Sequence, residues 1–269
     1  MIGQCLLLRG SDGLHRFFVK DIATDSPEVI IAGEEAAHLN RVLRLGPGDL
    51  IEVCDGRGRA FRAQITRSDS GESRARLLEP ILKDSEPDLQ LILAQALVKG
   101  ERMDFVLQKG TELGVHTFVP TICRRSVVRL EKGREARRRK RWQRIVKEAA
   151  KQCGRTIVPQ VKPAVELEEM LREYGGEGTH IIFPWEGEGS LGLDTVLGNI
   201  FPHGGKTLRV LVVVGPEGGF ELDEVELADE YGARIVSLGS RVLRSETAAL
   251  AAISIILYEA GDLGAACRG

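Results

Sequence analysis

Consecutive apolar positions mark a strand in the carboxyl-terminal third of the chain. Residues 208–214 read LRVLVVV and show no alternation of apolar and polar side chains. This pattern predicts a strand buried on both faces of a parallel sheet, and the strand ends at the glycine-rich loop GPEGG, 215–219. A second predicted strand, 235–238, ends at Gly239, and the loop 240–244 then leads into a helix that begins near Ser245. Ligands collect beyond the carboxyl ends of such strands, so the two loops predict one pocket.

The rest of the chain divides into a β-rich part and an alternating part. Strand patterns with turn residues between them cover 15–19, 49–56, 59–67 and 73–80. A polar stretch, 83–88, is the predicted linker. Strands and helices alternate after it, at 89–97, 102–113, 117–122, 137–153 and 179–183. The pattern predicts a small β-barrel or sheet, followed by an α/β layer with a mainly parallel sheet.

Charge is distributed unevenly along the chain. The 269 residues carry a formal net charge of −2, yet residues 124–155 hold 14 Lys and Arg against 3 Asp and Glu. The predicted helix 137–153 places Trp142 and Val146 on one face, while most of its cations lie off that face. Such a basic block indicates contact with a polyanion at one place, and a solvated basic helix is the alternative interpretation.

Several other classes of protein are disfavoured. The five cysteines are scattered without a C-x-x-C pair, and the histidines lack H-x-x-x-H spacing, so we predict no metal. The cysteines are typical of reduced thiols in a cytoplasmic protein, and the amino end lacks the features of a secretory signal. The most apolar helix candidate, 248–258, is shorter than the ~20 residues of a membrane span, so we predict no membrane partner.

A second glycine-rich run suggests a competing function. Residues 187–192, GEGSLG, fit the G-x-G-x-x-G pattern and follow the predicted strand 179–183, which favours a nicotinamide-dependent oxidoreductase. Three residues intervene before the first glycine, however, and we expect no strong helix to open on the third. This dinucleotide interpretation is therefore the weaker one.

The GPEGG loop and the residues before the last helix carry the more demanding chemistry. Glycine permits close ligand approach, although a tight turn alone could explain the loop. Glu221 and Glu224 suit the first turn of the next helix, so a cationic or zwitterionic cofactor fits better than a phosphate. Ser245 could cap the last helix, but capping explains neither Arg241 nor Arg244, whose guanidinium groups could stabilise an oxyanion.

With these residues identified, the chain resembles the ribosomal RNA small subunit methyltransferase E family, the 16S rRNA uridine-N3 methyltransferases of the SPOUT superfamily. The resemblance covers about 15–264 and combines several ordered motifs. These are HLNRVLR at 38–44, KGERM at 99–103, QK at 108–109 with ELGV at 112–115, EAA at 148–150 with QCGR at 152–155, GPEGG at 215–219 and LRSETA at 243–248.

The resemblance implies a fold, a cofactor and partners. It implies an amino-terminal extension at 1–14, a PUA-like β-barrel RNA-binding domain at 15–82, and a SPOUT methyltransferase domain at 89–269. That second domain is α/β with a mainly parallel sheet, and its last segments form a trefoil knot around S-adenosylmethionine. The implied partners are ribosomal RNA or the small ribosomal subunit, and a second copy of the chain that docks through the helix at 248–257.

Site residues follow from the same resemblance. The implied cofactor-binding residues are Phe183, Pro184, Trp185, Val214, Gly215, Pro216, Glu217, Gly218, Gly219, Leu238, Gly239, Val242, Leu243, Thr247 and Ala248. Arg244 is the first catalytic candidate, because it could stabilise negative charge on the uracil oxygens. Glu246 or Glu112 could take the N3 proton, although Glu246 also suits a first helical turn and Glu112 also suits pairing with Lys109.

RNA contacts are assigned to cations and one amide. These residues are Arg16, Arg41, Arg44, Arg137, Arg138, Arg141, Gln152 and Arg155. Gln152 and Arg155 are the candidates that hold the extruded nucleotide and its phosphate, because chemistry on a base edge requires removal of the base from its stack. A non-catalytic rRNA-binding or ribosome assembly protein remains the main alternative function, ahead of the oxidoreductase.

Overall fold

The computed structural model describes residues 14–23, 26–69, 71–82, 85–128, 133–201 and 208–264. The predicted extension 1–14 lies almost wholly outside these residues. The chain divides into two compact units, Met1–Glu86 with Ala150–Val158, and Pro87–Ala149 with Pro159–Gly269. Residues 150–158, which the sequence placed in the second domain, therefore group with the first unit.

The first unit is built on a five-stranded sheet within the described residues, in the order β1-β3-β4-β5-β2. Its elements are β1 His15–Phe18, β2 Glu28–Ala32, α1 Glu34–Ala37, a π-helical turn at His38–Val42, β3 Leu50–Cys54, β4 Ala60–Ser68 and β5 Glu72–Pro80. Strand β1 pairs parallel to β3, and the other pairs are antiparallel. The predicted β-rich unit is confirmed, while β2 and α1 were not predicted. Its core includes fully buried Phe17, Ile31 and Leu39.

The second unit is an α/β layer. Its elements are β6 Gln90–Ala96, α2 Glu101–Leu113, β7 Thr117–Ile122, α3 Glu135–Cys153, β8 Gln160–Val161, β9 Val165–Glu166, α4 Leu167–Tyr174, β10 Thr179–Pro184, α5 Leu193–Ile200, β11 Arg209–Val214, α6 Leu222–Glu230, β12 Arg234–Val236 and α7 Ser245–Ala260. Among the described residues the sheet order is β12-β10-β11-β6-β7-β8, with β9 beside β7, and every pair is parallel. The predicted parallel sheet is confirmed, and the knotted threading stays a prediction.

One local expectation was wrong. Helix α5 begins at Leu193, directly after Gly192 at the end of the GEGSLG run, where we expected no strong helix. The helix is only eight residues long. Its stability comes from burial of Leu193 and Leu197 rather than from a capping side chain, since no side-chain cap is formed. So short an element gives little periodic signal in the sequence.

The register of three neighbouring strands positions the site. Pro184 of β10 lies opposite Val236 of β12, and Ile182 of β10 lies opposite Val212 of β11. The carboxyl ends of these strands therefore meet at one edge of the sheet, where the loops after them converge. In the part of the chain that the structure describes, no helix is long and apolar enough to cross a membrane, and no cluster of His, Cys, Asp or Glu could hold a metal ion.

Candidate active site

A cavity of about 360 Å³ lies at this edge of the sheet. Three loops form it, those after β10, β11 and β12, together with one side chain from α2 and the start of α7. The lining residues are Arg102, Pro184, Trp185, Glu186, Val214, Gly215, Pro216, Glu217, Gly219, Phe220, Ser237, Leu238, Gly239, Arg241, Val242, Leu243, Arg244, Ser245 and Ala248. The volume is in the range of small-molecule sites, so the predicted pocket is present.

Glycine is required at two positions of the GPEGG loop. A Cβ at Gly215 would lie 2.8 Å from the Phe220 ring, closer than real Cβ contacts allow. Gly219 has a φ of +71°, and a Cβ there would collide with the Glu186 carboxylate. The loop is therefore a tight connection, and its backbone also lines the cavity at Gly215 and Gly219.

Two consecutive hydrogen bonds between buried polar groups hold this loop against the last helix. Gln95 Nε2 donates to Ser245 Oγ at 2.9 Å, and Ser245 Oγ donates to the Gly215 carbonyl oxygen at 2.5 Å. Arg244, not Ser245, occupies the N-cap position of α7, without a side-chain cap. The expectation that Ser245 caps the helix was therefore wrong, because its hydroxyl bonds to the neighbouring loop.

Acidic residues after the GPEGG loop serve helix α6. Glu221 and Glu224 form a capping box at its N-terminus, in which each side chain bonds the backbone of the other residue. The Arg125 guanidinium donates to both oxygens of Glu221, and this holds the pKa of Glu221 below its ordinary value. Arg125 also donates to the Gly218 carbonyl oxygen at 2.9 Å. These carboxylates are therefore structural.

The GEGSLG run is organised by its own carboxylate. Glu188 Oε1 accepts hydrogen bonds from the Ser190 N–H at 2.7 Å, the Ser190 hydroxyl at 2.6 Å and the Leu191 N–H at 2.9 Å. These bonds lower the pKa of Glu188 to about 2. A pyrophosphate would need such N–H groups for itself. The run therefore lacks the phosphate cradle that the nicotinamide interpretation requires.

Comparison with known proteins decides the family. The model of the RNA methyltransferase domain matches residues 85–257, and that of the RNA methyltransferase PUA domain matches 31–78. The ribosomal RNA small subunit methyltransferase E of Bacillus subtilis is 32% identical over 251 residues, which cover 91% of this chain and 97% of the relative. The chain belongs to the ribosomal RNA small subunit methyltransferase E family.

A solved structure of the methyltransferase E family supports the assignment. The enzyme of that name from Neisseria gonorrhoeae, crystallised bound to S-adenosyl methionine, is 34% identical and superposes with a TM-score of 0.80, covering 91% of this chain and 97% of the other. A relative of the same name from Synechocystis is 33% identical over 85% of this chain and 73% of its own length. The similarity extends through both compact units.

Most cofactor residues implied for the methyltransferase E family lie at the cavity. The exceptions are Phe183, Gly218 and Thr247, which are not among its lining residues. Phe183 is fully buried and packs on Phe220 with ring centroids 4.2 Å apart, so it supports the cavity from behind. Gly218 faces Arg125, and Thr247 is exposed on α7.

The catalytic candidates separate clearly. Arg244 lines the cavity, and its exposed side chain has no hydrogen bond or ion pair to any residue that the structure describes. Glu246 lies next to lining residues, and its Oε2 is buried without a partner in the same part of the chain. Glu112 does not line the cavity. It pairs with Lys109 at 2.9 Å and lies about 15 Å along α2 from Arg102 at 1.5 Å per residue.

Two of the predicted RNA-binding arginines form ion pairs with carboxylates inside the first unit. Arg16 bonds Glu52 at 2.8 and 2.9 Å and the Arg155 carbonyl oxygen at 2.9 Å. Arg155 bonds Glu86 at 2.7 and 2.9 Å, and its side chain is only 4% exposed. Buried ion pairs of this kind are structural, so their geometry argues against the predicted phosphate contacts.

The other predicted RNA-binding residues are accessible to different degrees. Arg41, Arg44, Arg137 and Gln152 are exposed. The Arg138 guanidinium lies over the Trp142 ring, 5.8 Å from its centroid, and Arg141 forms an ion pair with Asp104. Arg137 is therefore the least encumbered of the three cations predicted on α3.

Five residues of the site were not predicted from the sequence. Arg102, Glu186, Phe220 and Ser237 line the cavity, and Gln95 lies behind it. Arg102 belongs to the KGERM motif at 99–103, which is part of the family resemblance. The motif therefore pointed to this residue, although no role was predicted for it. Gln95 could have been noticed as a polar residue inside the apolar run 89–97.

The hydrogen bonds of the Ser245 hydroxyl to Gln95 and Gly215 predict an effect on stability. We expect Ser245→Ala to lower the free energy of unfolding by about 1–3 kcal/mol, because the Gly215 carbonyl oxygen loses its buried donor. Urea unfolding monitored by circular dichroism measures this change. Ser254→Ala, on the same helix but without such a bond within the described residues, is the control. Equal losses of unfolding free energy in the two variants would contradict the structural role of the Ser245 hydrogen bonds.

Proposed function

We propose that this protein transfers a methyl group from S-adenosylmethionine to N3 of a uridine in 16S ribosomal RNA. The observation that carries the proposal is the three-loop cavity at the carboxyl ends of β10, β11 and β12, in a chain of this family. Relatives carry the name ribosomal RNA small subunit methyltransferase E, and one of them is crystallised with S-adenosyl methionine. The proposed location of the reaction is the cytoplasm.

The residues present fit the cofactor. Gly215 and Gly219 line the cavity without a side chain, so the backbone of this loop would face the ligand directly. Leu238 and Leu243 give apolar contact for an adenine ring, and the Glu186 carboxylate offers negative charge to a cationic ligand. When bound, S-adenosylmethionine supplies an electrophilic methyl group on a sulfonium.

The chain's own residues then act on the uracil. Removal of the N3 proton leaves negative charge on the ring oxygens, and Arg244, free and at the cavity, stabilises that charge. Glu246 accepts the proton in this proposal, since it is the candidate carboxylate next to the cavity lining and Glu112 is held by Lys109. Positioning of the base provides much of the remaining effect.

The proposal includes RNA and a second copy of the chain as partners. Exposed cations of α3 contact the RNA backbone, and the PUA-type unit adds contacts through Arg41 and Arg44. Helix α7 leaves Ile255 39% and Tyr258 64% exposed, which suits the apolar face of a homodimer.

Ligand binding tests the proposed function directly. We expect S-adenosylmethionine at 100 times its Kd to stabilise the protein by about 2.7 kcal/mol, visible as a rise in Tm, while a nicotinamide dinucleotide has no effect. Mass mapping of 16S rRNA from a deletion strain, before and after the purified protein is added, should then show one missing and one restored methyl group at a uridine. RNA binding without cofactor binding or methylation would favour the assembly protein instead.

A further inference from the structure

Arg102 occupies a position that its own helix does not favour. It lies in the first turn of α2, which begins at Glu101. The N-terminus of a helix carries partial positive charge and disfavours a cation there. The side chain nevertheless lines the cavity and is 40% exposed. Partners outside α2 must therefore account for the arginine at this position.

Two carboxylates from different elements are these partners. Arg102 Nη1 lies 2.9 Å from Glu217 Oε1 in the GPEGG loop, and the Lys99 N–H donates to the same oxygen at 3.3 Å. Arg102 Nε lies 3.7 Å from Glu246 Oε1 at the start of α7. One guanidinium thus joins the predicted cofactor loop to the helix that carries the candidate proton acceptor.

Glu246 depends on this contact. Its side chain is 15% exposed, and its Oε2 is buried without a hydrogen-bond partner in the described part of the chain. A buried carboxylate that lacks donors is unfavourable unless a nearby cation compensates it. Arg102 is the cation recorded within ion-pair distance of Glu246 among the described residues. The contact also places the Glu246 carboxylate beside a side chain that lines the cavity.

We propose that Arg102 is a positioning residue for methyl transfer, which fixes Glu246 beside the cavity by bridging it to Glu217. This inference rests on the proposed function. In the reaction, the bond from N3 to the methyl carbon forms as the bond from sulfur to that carbon breaks, and the N3 proton passes to the Glu246 carboxylate. The conformation of the GPEGG loop and the position of the Glu246 carboxylate are then coupled through the Arg102 side chain.

A double-mutant cycle tests this role. Arg102→Gln, Glu246→Gln and the double variant are compared in steady-state assays with S-adenosylmethionine and 16S rRNA. We expect each single substitution to lower kcat by about tenfold while the KM for the cofactor changes by less than about threefold. The double variant should be no slower than the slower single variant, because the two residues act as one unit. Arg102→Lys, which keeps the charge without the planar fork, should recover part of the rate.

Arg125→Gln is the matched control. Arg125 also holds the GPEGG loop, through Gly218 and Glu221, but it is not among the residues that line the cavity. We expect its kcat to stay within about threefold of wild type. Equal losses in the two arginine variants, or additive losses in the double variant, would overturn the positioning role. If Arg102→Gln does not fold, the same cycle is run with Arg102→Met, which keeps an apolar stem and removes the charge.

The wild-type assay separates this inference from the proposed function. If wild-type protein binds S-adenosylmethionine but transfers no methyl group to the RNA, the proposed function fails. If wild-type protein is active and Arg102→Gln is equally active, only the positioning role fails.

Discussion

Replacement of Arg244 by alanine should lower kcat for RNA methylation by about 10²–10³, the usual cost of removing one donor that stabilises developing negative charge. Arg244 lines the cavity and makes no ion pair or hydrogen bond with its side chain within the described residues. It is the N-cap residue of α7, but its side chain forms no cap. The substitution should therefore leave the fold intact, and single-turnover methylation of 16S rRNA measures its effect on the chemical step.

Cofactor affinity distinguishes the possible roles of Arg244. Calorimetry with S-adenosylmethionine should give a Kd for Arg244→Ala within about threefold of wild type, because the missing interaction forms only as the base loses its proton. Arg244→Lys should recover part of the rate, since it restores a charge without the paired donors. An equal loss of rate and of cofactor affinity would assign Arg244 to the cofactor site instead.

The central strands of the parallel sheet were predictable because they are apolar and bounded by turn residues. Strand β7 has the predicted bounds 117–122, and β11 begins one residue after the predicted start of 208–214. Strand β2 and helix α1 were missed, because short elements with mixed burial give a weak periodic signal. The pocket followed from strand ends alone, since the carboxyl edge of a parallel sheet fixes its place.

The partner of each charged side chain could not be predicted. Arg16 bonds Glu52, 36 residues away, and Arg155 bonds Glu86, 69 residues away. Nothing local distinguishes them from Arg137, which is exposed. The sequence shows which residues are cations, but whether a cation faces solvent or a buried carboxylate depends on long-range packing. For the same reason it left Glu246 and Glu112 as equal candidates.

Replacement of the exposed cations on α3 is expected to have the second large effect, a loss of RNA affinity. Arg137, Lys140 and Arg144 lie within about 60° of one another at 3.6 residues per turn, on the side opposite buried Trp142 and Val146. All three cations are exposed and without a recorded ion pair among the described residues. Changing all three to glutamine should weaken RNA binding by about tenfold or more near 0.1 M salt. The slope of log K against log salt concentration should fall by about 2, since each lost contact to a single-stranded phosphate removes roughly 0.7.

The salt series needs a control of equal charge. A triple glutamine variant at Arg172, Arg209 and Arg234 removes the same net charge from the same compact unit, on α4, β11 and β12 rather than on α3. Fluorescence anisotropy with a fragment of 16S rRNA compares RNA binding by the α3 variant and by the control variant. The salt concentration is varied from about 0.05 to about 0.3 M, where counterion release dominates the salt dependence. We expect the control to keep the wild-type slope, because general attraction between the protein and RNA is screened beyond about 10 Å at 0.1 M. If both variants lose slope equally, the basic face of α3 is merely solvated, and its cations bind no particular phosphates.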